Sequence, residues 1–331
     1  MLTQPIDNNP AGHSGHLLHH ITPIVEPLYV VMVIDNPEMY AARYRHYHTV
    51  AKHIEDSGAI LYTVEVAIGD RHFEVTEAGN PRHIQLRAKT DIWRKENLQN
   101  IGVAHLPHGW KHVALHDADM MNTRADWVQA TIQALQRYDA VQLFSTYSCL
   151  KADYTVESTN AGFVYGWSKD DASPKAAKWH GAPGGAWAYR RSAWDALEGM
   201  LQTPILGSAD RYMTLALGRM PDDITADVAA EDKELNRCAP QYIASVHEWT
   251  ERAKAIAGNI WYIENHAIHY WHGPYQSRGY GWRWKILATH AFDPGKDLKQ
   301  ELSGLLELRG NKPGMRDEIR AYFRSRNEDA V

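Results

Sequence analysis

The stretch HVALHDAD, His112 to Asp119, decides the fold of this chain. It opens with a short apolar run, which is typical of a buried parallel strand, and Asp117 and Asp119 follow that run two positions apart. Ligands of α/β sheets bind beyond the carboxyl ends of the strands. Two carboxylates crowded together there need a counter-charge, which a hard cation such as Mg²⁺ or Mn²⁺ supplies while keeping substrate phosphates in its shell. The alternative is a solvated turn or cap, as in most Asp-x-Asp patterns; the preceding strand favours a metal site.

The segments around this stretch alternate between strand and helix. The alternation predicts an α/β fold with a mainly parallel sheet and helices on both faces. Asp35 stands, like Asp117, where a strand ends, and the second half of the chain is less regular. The predicted strands are Leu28 to Asp35, Ala59 to Gly69, His83 to Ala88, His112 to Leu115 and Ala140 to Phe144, and the predicted helices run from about Glu38 to Asp56, Asp91 to Val103 and Trp127 to Tyr138.

The chain divides into three parts by its pattern. Residues 1–27 contain four prolines and four histidines with no helical or strand period, and we interpret them as a mobile arm. Residues 28–300 hold the α/β domain with its irregular second half. Residues 301–331 are charged and look helical, which predicts a C-terminal helical segment packed on the domain.

Charge and cysteine content exclude several classes of protein. The net charge of −5, with histidine neutral, gives no general basic surface for nucleic acid or lipid. Cys149 and Cys238 provide no disulfide framework and fit a reducing compartment. No apolar run approaches the roughly 20 residues of a membrane helix, and the N-terminus does not resemble a signal peptide. We therefore expect a cytoplasmic protein with no membrane partner and no obligate protein partner.

The segment HYWHG, His269 to Gly273, carries two histidines three residues apart, near the end of a strand-like run. Imidazole suits Mn²⁺ as well as Zn²⁺, so His269 and His272 are candidate metal ligands. The competing interpretation is an interior or surface pair in a chain that has 19 histidines.

Two further segments could carry chemistry. In GPYQSRGYGWRWK, Gly273 to Lys285, glycines, aromatic rings and cations are interleaved, and Arg278 and Arg283 could grip phosphate as the loop orders over a substrate. A basic and aromatic patch packed on the domain is the alternative. In LGSAD, Leu206 to Asp210, the aspartate would open a helix, where it is most often just an N-cap. Asp210 matters only if its carboxylate faces the same crevice.

In their order along the chain, these motifs resemble the GT-A glycosyltransferases. Trp93 to Met121 resembles the stretch that leads into the Asp-x-Asp motif of animal galactosyltransferases, with Arg94 in a matching place. GGAWAYRRSAWDALEGM, Gly184 to Met200, resembles their acceptor-side segment, and LGSAD resembles the segment that ends in their catalytic acid. HYWHG followed by RGYGWR is similar to their late metal-binding segment. Two departures are that the acidic pair of the catalytic segment is Ala209-Asp210 here, and that His269 replaces a methionine metal ligand.

The ordered chain, from about residue 28 to 331, also resembles glycosyltransferase-like proteins of bacteriophages and large viruses, whose pattern includes a terminal segment like YFRSRNED, Tyr322 to Asp329. The resemblances imply a GT-A fold and an inverting transfer from a nucleotide-sugar, most simply a UDP-sugar, with Mn²⁺ or Mg²⁺ as the cation. They imply the following roles: Asp117, Asp119, His269 and His272 toward the metal, Asp35, Arg94, Asp117, Arg278 and Arg283 toward the donor nucleotide, and Asp210 as the general base.

The acceptor and the reaction class both have alternatives. Likeness to the animal enzymes implies a saccharide acceptor, whereas likeness to the viral proteins implies a hydroxymethylated pyrimidine in DNA. A nucleotidyltransferase could use a similar sheet and metal, but the glycine-rich phosphate loop it needs is missing after the first strand. A non-catalytic sugar-binding or metal-binding module is the third interpretation.

Overall fold

The computed structural model describes residues 26–169, 181–218 and 238–330. The predicted mobile arm, residues 1–27, lies outside the described residues except for Glu26 and Pro27, and Glu26 forms an ion pair with Lys111. Within these ranges, no helix has both the length and the apolar character that crossing a bilayer requires.

The first half of the chain follows the predicted alternation of strand and helix. The largest difference in a boundary is at α2, which begins four residues later than predicted: the backbone N–H of Trp93 donates to the carbonyl of Ile205 (2.8 Å) instead of entering a helix. Helix α3 also ends three residues earlier than predicted and β6 two residues earlier. The elements are β1 (Leu28–Asp35), α1 (Ala41–Asp56), β2 (Ile60–Ile68), β3 (His83–Ala88), α2 (Lys95–Ala104), β4 (His112–His116), β5 (Met120–Asn122), α3 (Trp127–Leu135) and β6 (Ala140–Gln142).

The second half is built of shorter elements. They are β7 (Thr146–Leu150), β8 (Val156–Ala161), α4 (Phe163–Lys169), β9 (Ala186–Arg190), α5 (Arg191–Leu197), α6 (Ala209–Leu217), α7 (Pro240–Ala253), β10 (Ile260–Tyr262), β11 (His266–His269), a 3₁₀ turn (Tyr275–Arg278), α8 (Lys285–Thr289), α9 (Pro294–Asp297), β12 (Leu298–Gln300), β13 (Leu306–Leu308) and α10 (Pro313–Ser325).

The main sheet has seven strands in the order β10-β6-β9-β4-β1-β2-β3. Strands β4, β1, β2 and β3 are parallel neighbours, and β9 runs antiparallel between β4 and β6. Successive residues of a strand point to opposite faces. Val31 of β1 therefore joins a core that includes Leu98 of α2, whereas Val30 joins one that includes Val50 of α1. The predicted fold class is confirmed: a mainly parallel sheet flanked by helices.

A second sheet, in the order β5-β11-β7-β8, lies beyond the carboxyl end of β4. Strand β11 pairs antiparallel with β5, so that His269 stands opposite Met120, and parallel with β7, so that His269 stands opposite Cys149. This small sheet joins the Asp-x-Asp turn to the HYWHG segment, which lies about 150 residues further along the sequence.

The C-terminal segment is not helical throughout, contrary to the prediction for residues 301–331. Strands β12 and β13 form an antiparallel pair, and their turn holds Gly304 at φ +86°, a conformation that favours glycine because it has no Cβ. Between residues 301 and 330 the structure has one helix, α10, which starts at Pro313. Proline is well tolerated there because the first N–H of a helix has no hydrogen-bond partner within the helix. That helix packs on the domain as predicted, through Ile319 and Tyr322.

Candidate active site

Three of the four predicted metal ligands form one cluster. The ligand atoms of Asp119, His269 and His272 all lie within 4.8 Å of one another. The two imidazole Nε2 atoms are 3.2 Å apart, and they stand 3.8 Å and 3.5 Å from the carboxylate oxygens of Asp119. The backbone N–H of Tyr270 donates to the carbonyl of Asp119 (2.8 Å), which ties the two segments together. The cluster therefore rests on the pairing of β5 with β11.

The chemistry of this donor set fits a divalent cation. Burial is the main cause that lowers the pKa of His269 and holds the pKa of His272 well below its usual range; Arg278 lowers both, while Asp119 opposes the shift of His269. Neutral imidazoles keep the lone pair that binds a metal. The Nδ1 atom of His269 faces the Sγ atom of Cys149 (3.7 Å), which leaves its Nε2 toward Asp119. Two imidazoles and one carboxylate suit Mn²⁺ better than Mg²⁺, which prefers oxygen ligands.

Asp117 lies outside this cluster, although it was predicted as a metal ligand. The chain turns after β4, with the N–H of Met120 donating to the carbonyl of Asp117 (3.3 Å), and of the two aspartates Asp119 alone joins the histidines. The Asp117 carboxylate instead forms an ion pair with the ammonium group of Lys95. Burial, helped by the charges of Asp119 and Asp210 and opposed by Lys95, raises the pKa of Asp117 to about 6.

Asp35 and Arg94 form a buried pair at the end of β1. Arg94 donates from Nη1 to Oδ2 of Asp35 (3.1 Å), from Nε to the carbonyl of Leu306 (2.9 Å) and from Nη2 to the carbonyl of Thr90, and it lies 3.4 Å from Glu307. These contacts occupy its guanidinium and fix Asp35; the nucleotide contact of Arg94 stays a prediction. Oδ1 of Asp35 is buried and has no hydrogen-bond partner among the described residues.

A larger cleft opens between the metal cluster and Asp35. It encloses about 770 Å³, open space at its mouth included, which is in the range of small-molecule sites. Its basic side chains include two that the sequence analysis missed, Arg43 and Arg326. Both form ion pairs with the buried carboxylate of Glu328. Burial alone would raise the pKa of Glu328, but the two arginines lower that pKa to about 2. The polar lining consists of Asp35, Arg43, His46, Arg94, Lys95, Asp117, Asp119, His272 and Arg326.

The two arginines of the Gly273–Lys285 segment have separate positions. Arg278 is 8% exposed, its Nε has no hydrogen-bond partner among the described residues, and it is close enough to the two histidines of the cluster to lower the pKa of both. Arg283 is 5% exposed and lies over the ring of Trp93 (5.8 Å) and against the backbone of Gly207. Arg278 lies beside the cluster and Arg283 against the loop before Asp210, and neither lines the larger cleft.

Asp210 faces a smaller cavity of about 410 Å³ that adjoins the larger cleft. The loop before it has two successive residues in the left-handed region, Gly207 (φ +89°) and Ser208 (φ +79°), and such strain concentrates at functional sites. A Cβ on Gly184 would stand 2.6 Å from Oδ2 of Asp210, so glycine is what lets this carboxylate approach. The polar lining of the cavity consists of Lys95, Glu96, Gln99, Asp117, Asp210 and Thr214. Lys95 and Asp117 line both cavities.

Glu96 is an acidic residue of the smaller cavity that the sequence analysis missed. It is 4% exposed, and its burial in α2 raises its pKa to about 7, with Asp210 and Asp117 adding to the rise and Lys95 opposing it. The segment RKEN, Arg94 to Asn97, reads as an ordinary charged helix start. Nothing in its pattern shows that Lys95 and Glu96 both point into the site.

Neutralising Glu96 should remove much of the pH dependence of stability. Because its folded-state pKa lies above the ordinary 4.5, the free energy of unfolding of the wild type should fall as pH rises from about 4.5 through 7. Glu96→Gln should abolish up to about 3 kcal/mol of that fall. Urea unfolding at about pH 5 and about pH 8 measures it, with Glu55→Gln on the exposed face of α1 as the control. The same pH dependence in Glu96→Gln and wild type would contradict the assignment.

Comparison with known proteins yields only distant structural likenesses. No protein-family model matches the sequence, and no curated protein does. A variant of Drosophila beta1,4-galactosyltransferase 7 in complex with manganese, UDP-Gal and xylobiose has a TM-score of 0.30 and 12% identity, over 60% of this chain and 62% of that one. A putative nucleotide-diphospho-sugar transferase from Desulfovibrio desulfuricans has a TM-score of 0.34 and 11% identity, over 90% and 97%. TarS of S. aureus has a TM-score of 0.40 and 9% identity, over 91% and 72%. Likenesses this slight assign no activity to this chain.

Proposed function

We propose that this protein is a divalent-metal-dependent glycosyltransferase of the GT-A type, which moves a sugar from a nucleotide-sugar to an acceptor hydroxyl. One observation carries the proposal: the cluster of Asp119, His269 and His272 lies on a cleft rich in basic side chains, and that cleft adjoins a cavity that holds the carboxylate of Asp210. A nucleoside diphosphate fits the first space and an attacking hydroxyl the second.

In this proposal the cluster holds Mn²⁺, whose charge stabilises the departing diphosphate when it is bound. Arg278 lies beside the two imidazoles with an unpartnered Nε, and it donates to the phosphate oxygens. Arg326 lines the cleft and is fixed by Glu328, so it meets the diphosphate without reorganising. These preorganised cations favour the state in which negative charge has passed to the leaving group.

The nucleoside half of the donor lies toward the end of β1. The free Oδ1 of Asp35 accepts a hydrogen bond from the nucleoside, since a buried oxygen without a partner is costly and Arg94 holds the other oxygen. A pyrimidine nucleoside suits the remaining space beside Trp93, and UDP is the diphosphate we propose.

On the acceptor side, Asp210 is the general base of an inverting transfer. Its carboxylate takes the proton of the acceptor hydroxyl as the oxygen attacks the donor sugar from the face opposite the leaving group. Lys95, which lines both cavities, neutralises Asp117 and keeps that carboxylate from repelling the diphosphate. Cys149 and Cys238 form no disulfide bond, which agrees with a cytoplasmic enzyme.

A thermal-shift screen of nucleotide-sugars, with Mn²⁺ and with EDTA, tests the proposal. A donor present at about 100 times its Kd stabilises a protein by about 2.7 kcal/mol, which should raise Tm by roughly 5 °C. We expect such a shift for UDP-sugars with Mn²⁺ and none with EDTA, and slow release of UDP from the same donors. Release of pyrophosphate from a nucleoside triphosphate would indicate nucleotidyl transfer instead. A metal-dependent shift without any turnover would indicate a binding module.

A further inference from the structure

Three aromatic side chains beside the candidate active site are exposed. Tyr275 is 64% exposed, Tyr280 45% and Trp282 43%. The rings of Tyr275 and Tyr280 are neighbours, with centroids 5.4 Å apart. We call these three residues the aromatic shelf. Large rings grouped at the surface are uncommon away from binding sites, because leaving them in water forfeits the free energy of their burial.

The shelf is held rigidly from beneath. Arg283 lies 4.8 Å from the ring centre of Tyr280, and Arg278 lies 5.9 Å from that of Tyr275. Trp282 rests on Gly279, where a Cβ would come within 3.1 Å of the indole ring. Side chains fixed in this way lose little conformational entropy when a ligand lands on them.

The position of the shelf connects it with both halves of the site. Arg278, beneath Tyr275, is the cation that lowers the pKa of the two histidines of the metal cluster. Arg283, beneath Tyr280, packs against Gly207, three residues before Asp210. The shelf is thus linked through Arg278 to the metal cluster and through Arg283 to the loop that carries the proposed base.

We propose that the aromatic shelf binds the acceptor, and that the acceptor is a saccharide whose ring stacks on Tyr280 and Trp282. This inference rests on the proposed function. The C–H face of a pyranose is apolar and carries partial positive charge, so it suits the negative face of an aromatic ring. The phenol hydroxyl groups of Tyr275 and Tyr280 can donate hydrogen bonds to hydroxyls of the sugar.

The charges of the segment disfavour DNA as the acceptor. Of its three cations, Arg278 and Arg283 are buried beneath the rings and Lys285 alone is exposed. Binding to DNA depends on several Lys or Arg side chains that contact phosphates and release counterions. One exposed lysine, in a chain whose net charge is −5, does not provide this. A neutral sugar needs no such cations.

The test uses the full-length protein with Mn²⁺, UDP-glucose and UDP-galactose as donors, and a panel of methyl glycosides, cellobiose, lactose and maltose as acceptors. We expect at least one saccharide to accelerate UDP release. Trp282→Ala and Tyr280→Ala should each raise the KM for that saccharide by about 3- to 10-fold. Trp282→Tyr and Tyr280→Phe keep an aromatic ring, so their KM for the saccharide should stay close to that of the wild type. A merely structural defect would not show this dependence on the ring. Trp261→Ala, at an exposed indole of β10 far along the main sheet, is the matched control.

Three outcomes would overturn the inference. The first is that no saccharide accelerates UDP release while Mn²⁺-dependent UDP binding is intact. The second is that the shelf variants keep the wild-type KM. The third is that hydroxymethylcytosine-containing DNA is glycosylated, at a rate that falls steeply as the salt concentration rises. Calorimetry of UDP binding is performed separately on every variant. Its absence in the wild type would contradict the proposed function itself, so failures of the two proposals are distinguished.

Discussion

Replacing Asp119 with alanine should weaken the binding of UDP in the presence of Mn²⁺ by about 100-fold or more, since even the outer partners of metal ligands contribute roughly 10- to 100-fold to metal affinity. Asp119 is the one carboxylate of the cluster found in the described part of the chain. Without it, two neutral imidazoles remain, and neither balances the charge of the cation. Isothermal titration calorimetry with UDP, in Mn²⁺ and in EDTA, measures the loss.

Matched variants separate this effect from a general loss of structure. Asp126→Asn, at an exposed residue a few positions further along the chain, should bind UDP like the wild type. His272→Ala should resemble Asp119→Ala. If Asp119→Ala kept its Mn²⁺-dependent affinity for UDP, the cation would bind elsewhere and the proposed function would lose the observation that carries it.

Replacing Asp210 with asparagine should lower the transfer rate by about 100- to 10,000-fold, the usual contribution of a general base. Asparagine is nearly the same size, so it fits beside Gly184, where the space is tight. The affinity for UDP in Mn²⁺ should stay within about twofold of the wild type, because Asp210 lines the smaller cavity and not the larger cleft. Steady-state UDP release with a saccharide acceptor measures the transfer rate, and calorimetry with UDP measures the affinity.

The control for Asp210 is Asp195→Asn on the exposed side of α5, which should leave the transfer rate and the affinity for UDP unchanged. Turnover above about one tenth of the wild-type rate would rule out general-base catalysis by Asp210. A parallel loss of UDP affinity would instead point to a structural role, in which Asp210 supports the Lys95 and Asp117 pair at the boundary of the two cavities.

The parts of the site that the sequence predicted depend on local pattern. A buried run followed by carboxylates has few structural interpretations, so β4 was predicted correctly and Asp119 was named as a candidate ligand. His269 and His272 were predicted because imidazoles three residues apart at a strand end are a recognisable pair. The structure brings all three residues together, as the resemblance implied. The proposed role of Asp210 follows from the same source, but its shared cavity with Asp117 could be seen only in three dimensions.

The parts that the sequence did not predict depend on long-range contacts. The turn after β4 brings Asp119 and not Asp117 to the two histidines, and no periodicity describes a turn of that kind. Arg283 reads as a free phosphate ligand until Tyr280 covers it. Arg43 and Arg326 lie 283 positions apart in the sequence, and both pair with Glu328. A sequence pattern is read over a short segment, so it cannot show that these three residues meet.

The pairing of Glu328 with Arg43 and Arg326 has a consequence for how the protein is made. A ribosome adds about 5–20 residues each second, and folding begins from the N-terminal side. Arg43, Asp119 and both histidines have emerged well before residue 326, yet the cleft lacks a wall until Arg326 and Glu328 arrive. A nascent chain that has not yet reached residue 328 therefore lacks a complete cleft. For the same reason, one proteolytic cut between Ser325 and Glu328 should separate the half-buried Arg43 from its partner Glu328 and abolish the proposed binding of nucleotide-sugar.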